Sequence, residues 1–244
     1  MTFWDHLDEL RSRIMKCLYL FFGAFIAFYF LSDYILAWLR RPLFMHLPPE
    51  QQHLYYTGLF ENFLVHLRVA GYSALVFFSP VYFFILWGFI APGLHANERK
   101  KVLPFVAAAS LFFIIGAAFA YFVLFPAGVK YFLNYGSTSE VAWLTLESYI
   151  SLILRVLIGF GAAFQVPVII VLLAQVGVLT AEQLVQHRKT AIIIIAGISA
   201  VVAPPDAISM VLLMVPLYLL YEGAVVVVKA IQKKRPNPLN TNPS

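Results

Sequence analysis

Six apolar runs decide what this chain can fold into. They lie near residues 14–31, 69–89, 102–125, 149–173, 190–202 and 208–228. Each is long enough, or nearly so, to cross a hydrocarbon core about 30 Å thick. A membrane β-barrel needs short alternating segments, so continuous runs of this kind predict helices. With 61% hydrophobic and 12% charged residues and a mean hydropathy of +0.83, the chain falls outside the soluble range. The expected fold is all-α: one membrane domain over residues 1–230 with six transmembrane helices in a single bundle. Residues 231–244 are polar and proline-rich, which predicts a disordered tail.

Lys and Arg set the expected orientation. An even number of spans puts both ends on one side, and that side would carry twelve of the 17 basic residues. These are Arg11, Arg13, Lys16, Arg99, Lys100, Lys101, Arg188, Lys189, Lys229, Lys233, Lys234 and Arg235. The positive-inside rule then places both termini in the cytoplasm. The net charge of +5 reflects that topology and is not read as nucleic-acid binding. The first run is long and no small-residue cleavage site follows it, so it is expected to stay as an anchor. Cys17 is the single cysteine, so neither an intramolecular disulfide nor a metal–thiolate cluster can organise the fold.

Charge is concentrated at two places. Before the first run stands Asp5-His-Leu-Asp-Glu-Leu-Arg-Ser-Arg13, with Phe3, Leu7, Leu10 and Ile14 at helical spacing. An amphipathic helix of this kind can lie at the membrane surface and present Glu9, Arg11 and Arg13. The same residues also suit a topogenic flank in which Glu9 pairs with Arg13 four positions on. The second cluster is Glu98-Arg-Lys-Lys101, after a Pro92-Gly93 break. Glu98 there could simply favour a helix N-terminus. Alternatively, Glu98 and Glu9 converge on one cytoplasmic surface and receive a ligand with adjacent arginines. A guanidinium fork binds carboxylate bidentately, and lysine reproduces that geometry poorly.

Catalytic groups are sparse. All six histidines are assigned to flanks or loops, and none has metal-ligand spacing. Within the runs the strongly polar groups are Arg155, Gln165 and Glu222. Arg155 can snorkel outward, and Glu222 can reach the interface or pair with a neighbour. A proton relay, a nucleophile–base pair and a cofactor site are not visible, so an enzyme is not expected.

Four blocks carry a family resemblance: His6-Leu-Asp-Glu-Leu-Arg-Ser-Arg13, Phe89-Ile-Ala-Pro-Gly-Leu94 with Glu98-Arg99, Gly116-Ala-Ala-Phe-Ala-Tyr-Phe122, and Ala203-Pro-Pro-Asp206. In this order, over about residues 5–228, they resemble the signature blocks of TatC. That family supplies the six-span receptor subunit of the twin-arginine protein translocase in the bacterial cytoplasmic membrane. The resemblance implies recognition of Arg-Arg signal peptides on folded precursors. It also implies TatA/TatB-type single-span partners, contact with membrane lipid, a homo-oligomer within the complex, and export driven by the proton-motive force.

On that resemblance Glu98 is the main carboxylate for the arginine pair, Glu9 its companion, Arg11 and Arg13 shape the site, and Phe89 sits beside it. Pro42 and Asp206 are outer-loop functional positions, while Tyr121, Gln165 and Glu222 are intramembrane polar ones. Many members carry glutamate where this chain has Gln165, and some carry glutamine at Met210. The fifth run, about 13 residues, covers only roughly 20 Å. Membrane thinning or a covering partner is therefore expected beside it, with Gly197, Ser199, Ala200 and Met210 as the docking positions. A tilted or re-entrant hairpin also fits these residues. The competing function class, a small-molecule or ion secondary transporter, would need repeats and broken helices with charged ligands at mid-membrane. No convincing repeat is present.

Overall fold

A computed structural model describes residues 3–90, 102–134, 143–202 and 207–233. The described residues are helical throughout apart from turns and one isolated bridge, Tyr55 with Thr145. Four helices are long and apolar enough to cross a membrane: 7–30, 103–133, 146–175 and 207–233. A pair bent by 57°, Glu61–Phe77 with Ser79–Gly88, passes the same test when its two helices are taken together as one broken span. The helix over the last remaining apolar run, Arg188–Val202, has 15 residues and falls short of that length. The chain divides into two compact units, Met1–Gly161 and Ala162–Ser244.

The first unit opens with α1, Phe3–Phe30, a single helix of 28 residues. The charged N-terminal segment is therefore continuous with the first span and does not form a separate helix lying flat on the surface. No proline or glycine pair interrupts it, so the apolar run propagates helix back through the charged residues. A turn at Leu31 leads to α2, Ser32–Phe44, and a 3₁₀ turn at Pro49–Gln51 follows. Pro42 lies inside α2 with its side chain buried, which corrects its assignment to a loop.

Proline explains most of the remaining breaks. α3, Glu61–Phe77, meets α4, Ser79–Ile90, at a bend of 57°. Pro80 has no N–H for the carbonyl of Val76, and the Ser79 hydroxyl donates to that carbonyl at 2.8 Å instead. α5, Val102–Phe119, widens into a π-helical turn, Ala120–Leu124, just before Pro126. It then continues as α6, Phe125–Leu133. α7 is Leu146–Ala163. The core of this unit is apolar, with Val65, Val69, Ile150 and Ile153 fully buried. His66, expected in a flank, lies within α3, its Nδ1 2.8 Å from the Ser32 hydroxyl.

The second unit holds α8, Gln165–Gln175, α9, Ala181–Gln186, α10, Arg188–Val202, and α11, Ala207–Lys233. Gln165 opens α8 two residues before Pro167, which cannot return a hydrogen bond to Ala163 and so starts a new helix. Gly177 ends the turn after α8 with φ +82°, a left-handed conformation natural to glycine. Thr180 and Gln183 form a reciprocal capping box at α9. Two bonds then pin α9 to α11: the Tyr221 hydroxyl donates to Leu184 O at 2.6 Å, and Ala181 N–H donates to Gln232 at 3.1 Å.

Candidate functional site

The N-terminal charge cluster becomes a specific arrangement where α1 meets α4. Glu9 and Arg13 stand one turn apart, and Glu9 Oε1 accepts from both Arg13 Nη2 at 2.7 Å and Nε at 3.1 Å. Arg13 Nη1 reaches across to the carbonyl of Ile85 at 3.2 Å. The guanidinium lies so close over Gly88 that a Cβ there would collide with it. A cation at the last turn of α4 is favoured by that helix's dipole, and glycine is the residue that admits it. Glu9 Oε2 is out of solvent and accepts no hydrogen bond among the described residues. Arg11 is exposed. The side chain of Phe89, and all of Glu98, lie outside the described residues.

Tyr121 and Pro42, which the sequence relates only through resemblance, turn out to be coupled. Pro42 leaves the carbonyl of Trp38, four residues back in α2, without a helical donor. The Tyr121 hydroxyl donates to that carbonyl at 2.7 Å. Its ring stacks on the Trp38 indole, with centroids 3.8 Å apart and planes within 9°. The π-turn at Ala120–Leu124 aims Tyr121 at this spot, a frequent use of such insertions. Tyr149 from α7 adds a second bond to the same helix, donating to Leu39 O at 2.8 Å.

Glu222, assigned as an intramembrane polar group, is half of an ion pair. Arg188 Nη2, at the start of α10, donates to Glu222 Oε2 at 2.7 Å. Tyr218 donates to the other oxygen at 2.8 Å. Gln165 is half-buried at the start of α8. The docking positions separate. Gly197 and Ala200 are exposed and Met210 is half-buried, but Ser199 is fully buried. Its hydroxyl accordingly cannot contact a partner at the surface. Asp206 lies outside the described residues.

One knot escaped sequence reasoning. The Glu61 carboxylate accepts from Thr57 N at 2.6 Å, the Thr57 hydroxyl at 3.0 Å, Gly58 N at 3.1 Å and Glu147 N at 3.0 Å. It thereby joins the start of α3 to the start of α7. Around it Leu146 N donates to Tyr55 O at 2.7 Å, Tyr55 stacks on Trp143, and Arg68 pairs with Glu147 at 2.6 Å. The available signal was a carboxylate closing a Thr-Gly turn just before an apolar run. Among the described residues no group of His, Cys, Asp and Glu could hold a metal ion.

Comparison with known proteins agrees with this architecture. A family model described as Sec-independent protein translocase protein (TatC) matches residues 5–216. Curated relatives named Sec-independent protein translocase protein TatC include one from Magnetococcus marinus, 35% identical over 95% of this chain and 85% of its own length. Another, from Campylobacter jejuni, is 35% identical over 96% of this chain and 94% of its own. A solved structure titled "Crystal Structure of Twin Arginine Translocase Receptor- TatC" superposes with a TM-score of 0.84 at 30% identity, covering 93% of this chain and 99% of that one. With the family matched over nearly its whole length, this chain belongs to the TatC family of Sec-independent protein translocase proteins.

Proposed function

We propose that this chain is the receptor and core subunit of a twin-arginine translocase in the bacterial cytoplasmic membrane. In this reading Arg188–Val202 counts as a short fifth span, which brings the spans to six with both termini cytoplasmic. The precursor's arginine pair is taken by Glu98 and Glu9, with Arg11 and Phe89 beside them and Arg13 holding Glu9 in place. Single-span partners of the TatA/TatB type dock at the edge of α10 and α11, where Gly197 and Ala200 permit close backbone approach. Gln165 supplies an intramembrane hydrogen-bonding group and Asp206 acts in the last outer turn. Copies of the chain assemble within the complex, and the proton-motive force drives export.

The observation that supports this reading best is the Glu9 oxygen left without a donor among the described residues. An unpaired carboxylate oxygen shielded from water is unfavourable, and an incoming guanidinium would satisfy it. The adjacent Arg13 already donates twice to the first oxygen, so a guanidinium that displaces the groups covering Glu9 would pair with the second. The test is photocrosslinking of a twin-arginine peptide to membranes carrying Glu98→Ala, Glu98→Gln or Glu9→Ala. Binding is expected to be lost in both Glu98 variants while insertion is unchanged, and to weaken in Glu9→Ala. Undiminished crosslinking to Glu98→Ala would overturn the assignment.

A further inference from the structure

We propose that a crevice between α2, α3 and α7 binds an anionic phospholipid, with an acyl chain in the crevice and the phosphate on Arg155. The crevice has a volume of about 280 Å³, is open on one side, and is lined by Trp38, Leu39, Tyr72, Val76, Leu154 and Ile158 among others. At roughly 30 Å³ per small group, it holds about nine methylene-sized units. A partner helix, about 10 Å across with its side chains, does not fit. An extended hydrocarbon chain does.

Charge next to the crevice selects the head group. Arg155 is exposed, and it makes no ion pair or hydrogen bond among the described residues. It stands three residues before the crevice-lining Ile158 and one turn after Ser151. Arg68 donates to Ser151 Oγ at 2.9 Å and to Glu147 Oε1 at 2.6 Å, so the nearby carboxylate is already neutralised. Arg155, next in the chain to the crevice-lining Leu154, therefore brings a positive charge with no carboxylate partner among the described residues, which matches a phosphodiester with no cationic end. Arg155 lies nine residues along α7, about 14 Å from its start. The span 146–175 has 30 residues, or about 45 Å, against a hydrocarbon core of about 30 Å. Centred in the bilayer, Arg155 Cα then sits about 6 Å below the hydrocarbon boundary, where an extended arginine stem reaches the phosphate level. An unpaired guanidinium at that depth is unfavourable, and a lipid phosphate supplies the missing partner.

The test uses the full-length chain in detergent micelles, with phosphatidylglycerol or phosphatidylcholine of identical acyl chains added and retention read by native mass spectrometry. The wild-type chain should retain phosphatidylglycerol about tenfold better, as one charge-assisted contact allows. Arg155→Gln should reduce retention to the phosphatidylcholine level, Arg155→Lys should keep most of the preference, and Ile158→Trp should lower retention of both lipids. A wild-type chain without the preference would overturn the site whatever the variants do. So would a preference that survives Arg155→Gln, or crosslinking of a probe at position 158 to a protein helix instead of lipid in native membranes.

Discussion

Replacing Tyr121 with phenylalanine tests how a proline in one helix creates a binding place for a tyrosine in another. The substitution keeps the ring, and so keeps the stack on Trp38, whose centroid lies 3.8 Å away. What disappears is the hydroxyl bonded to Trp38 O at 2.7 Å. Tyr121 is 4% exposed, so no water replaces the donor. The orphaned carbonyl should then destabilise the fold by about 1–3 kcal/mol. In a Pro42→Ala background, however, the new alanine supplies the N–H that a regular helix sends back to Trp38, and the carbonyl no longer depends on Tyr121. Tyr121→Phe should therefore be nearly neutral there, which implies a coupling of about 1–3 kcal/mol. Unfolding by sodium dodecyl sulfate in mixed micelles, followed by tryptophan fluorescence on all four corners of the cycle, measures this. Additivity within about 0.5 kcal/mol would refute the account and leave Pro42 and Tyr121 as independent packing residues.

Three further outcomes follow from the geometry. Gly88→Ala puts a methyl group where the Arg13 guanidinium lies, so the flexible arginine must shift, and twin-arginine peptide crosslinking should fall, though less than in Arg13→Ala; normal crosslinking would show that Arg13 does not need this seat. Glu61→Gln replaces one of the two accepting oxygens with an N–H₂, so that at least one of the four donors meets another donor, and should speed amide exchange at 57–61 and 146–147 by at least about tenfold, the loss of one charge-assisted bond, leaving α10 unaffected. Ala200→Leu, on the exposed face of α10, should block co-purification of a single-span partner while peptide binding persists. The same change at buried Ser199 should instead lower stability.

Much of the fold was legible because continuous apolar runs dictate helices whatever surrounds them. The Glu9–Arg13 pair was legible too, since four-residue spacing is a local rule. The short fifth run was anticipated from its length and is matched by the 15 residues of α10. The bend at Phe78 and the restart at Gln165 were not anticipated, although Pro80 and Pro167 stand in plain view. Membrane helices often tolerate proline, so its presence alone does not fix a break. Glu61 was unreadable for a different reason. Its bond to Glu147 N spans 86 positions, and nothing in local periodicity pairs two residues so far apart.

The single long helix α1 carries a consequence for how the protein is made. It precedes the span 103–133 in the chain, and only 6% of its apolar window is buried by the rest of the chain, against 44% for that later span. Most of its surface is therefore left to the bilayer or to partners. In the two-stage view of membrane folding, such a helix can be released into the bilayer and wait there as an independent rod. The span 103–133 reaches its final surroundings only when Trp38, already synthesised, and Tyr149, still to come, are both at hand. The order of synthesis thus matches the order of dependence for these two spans: the one that needs its neighbours less is delivered before the one that needs them more.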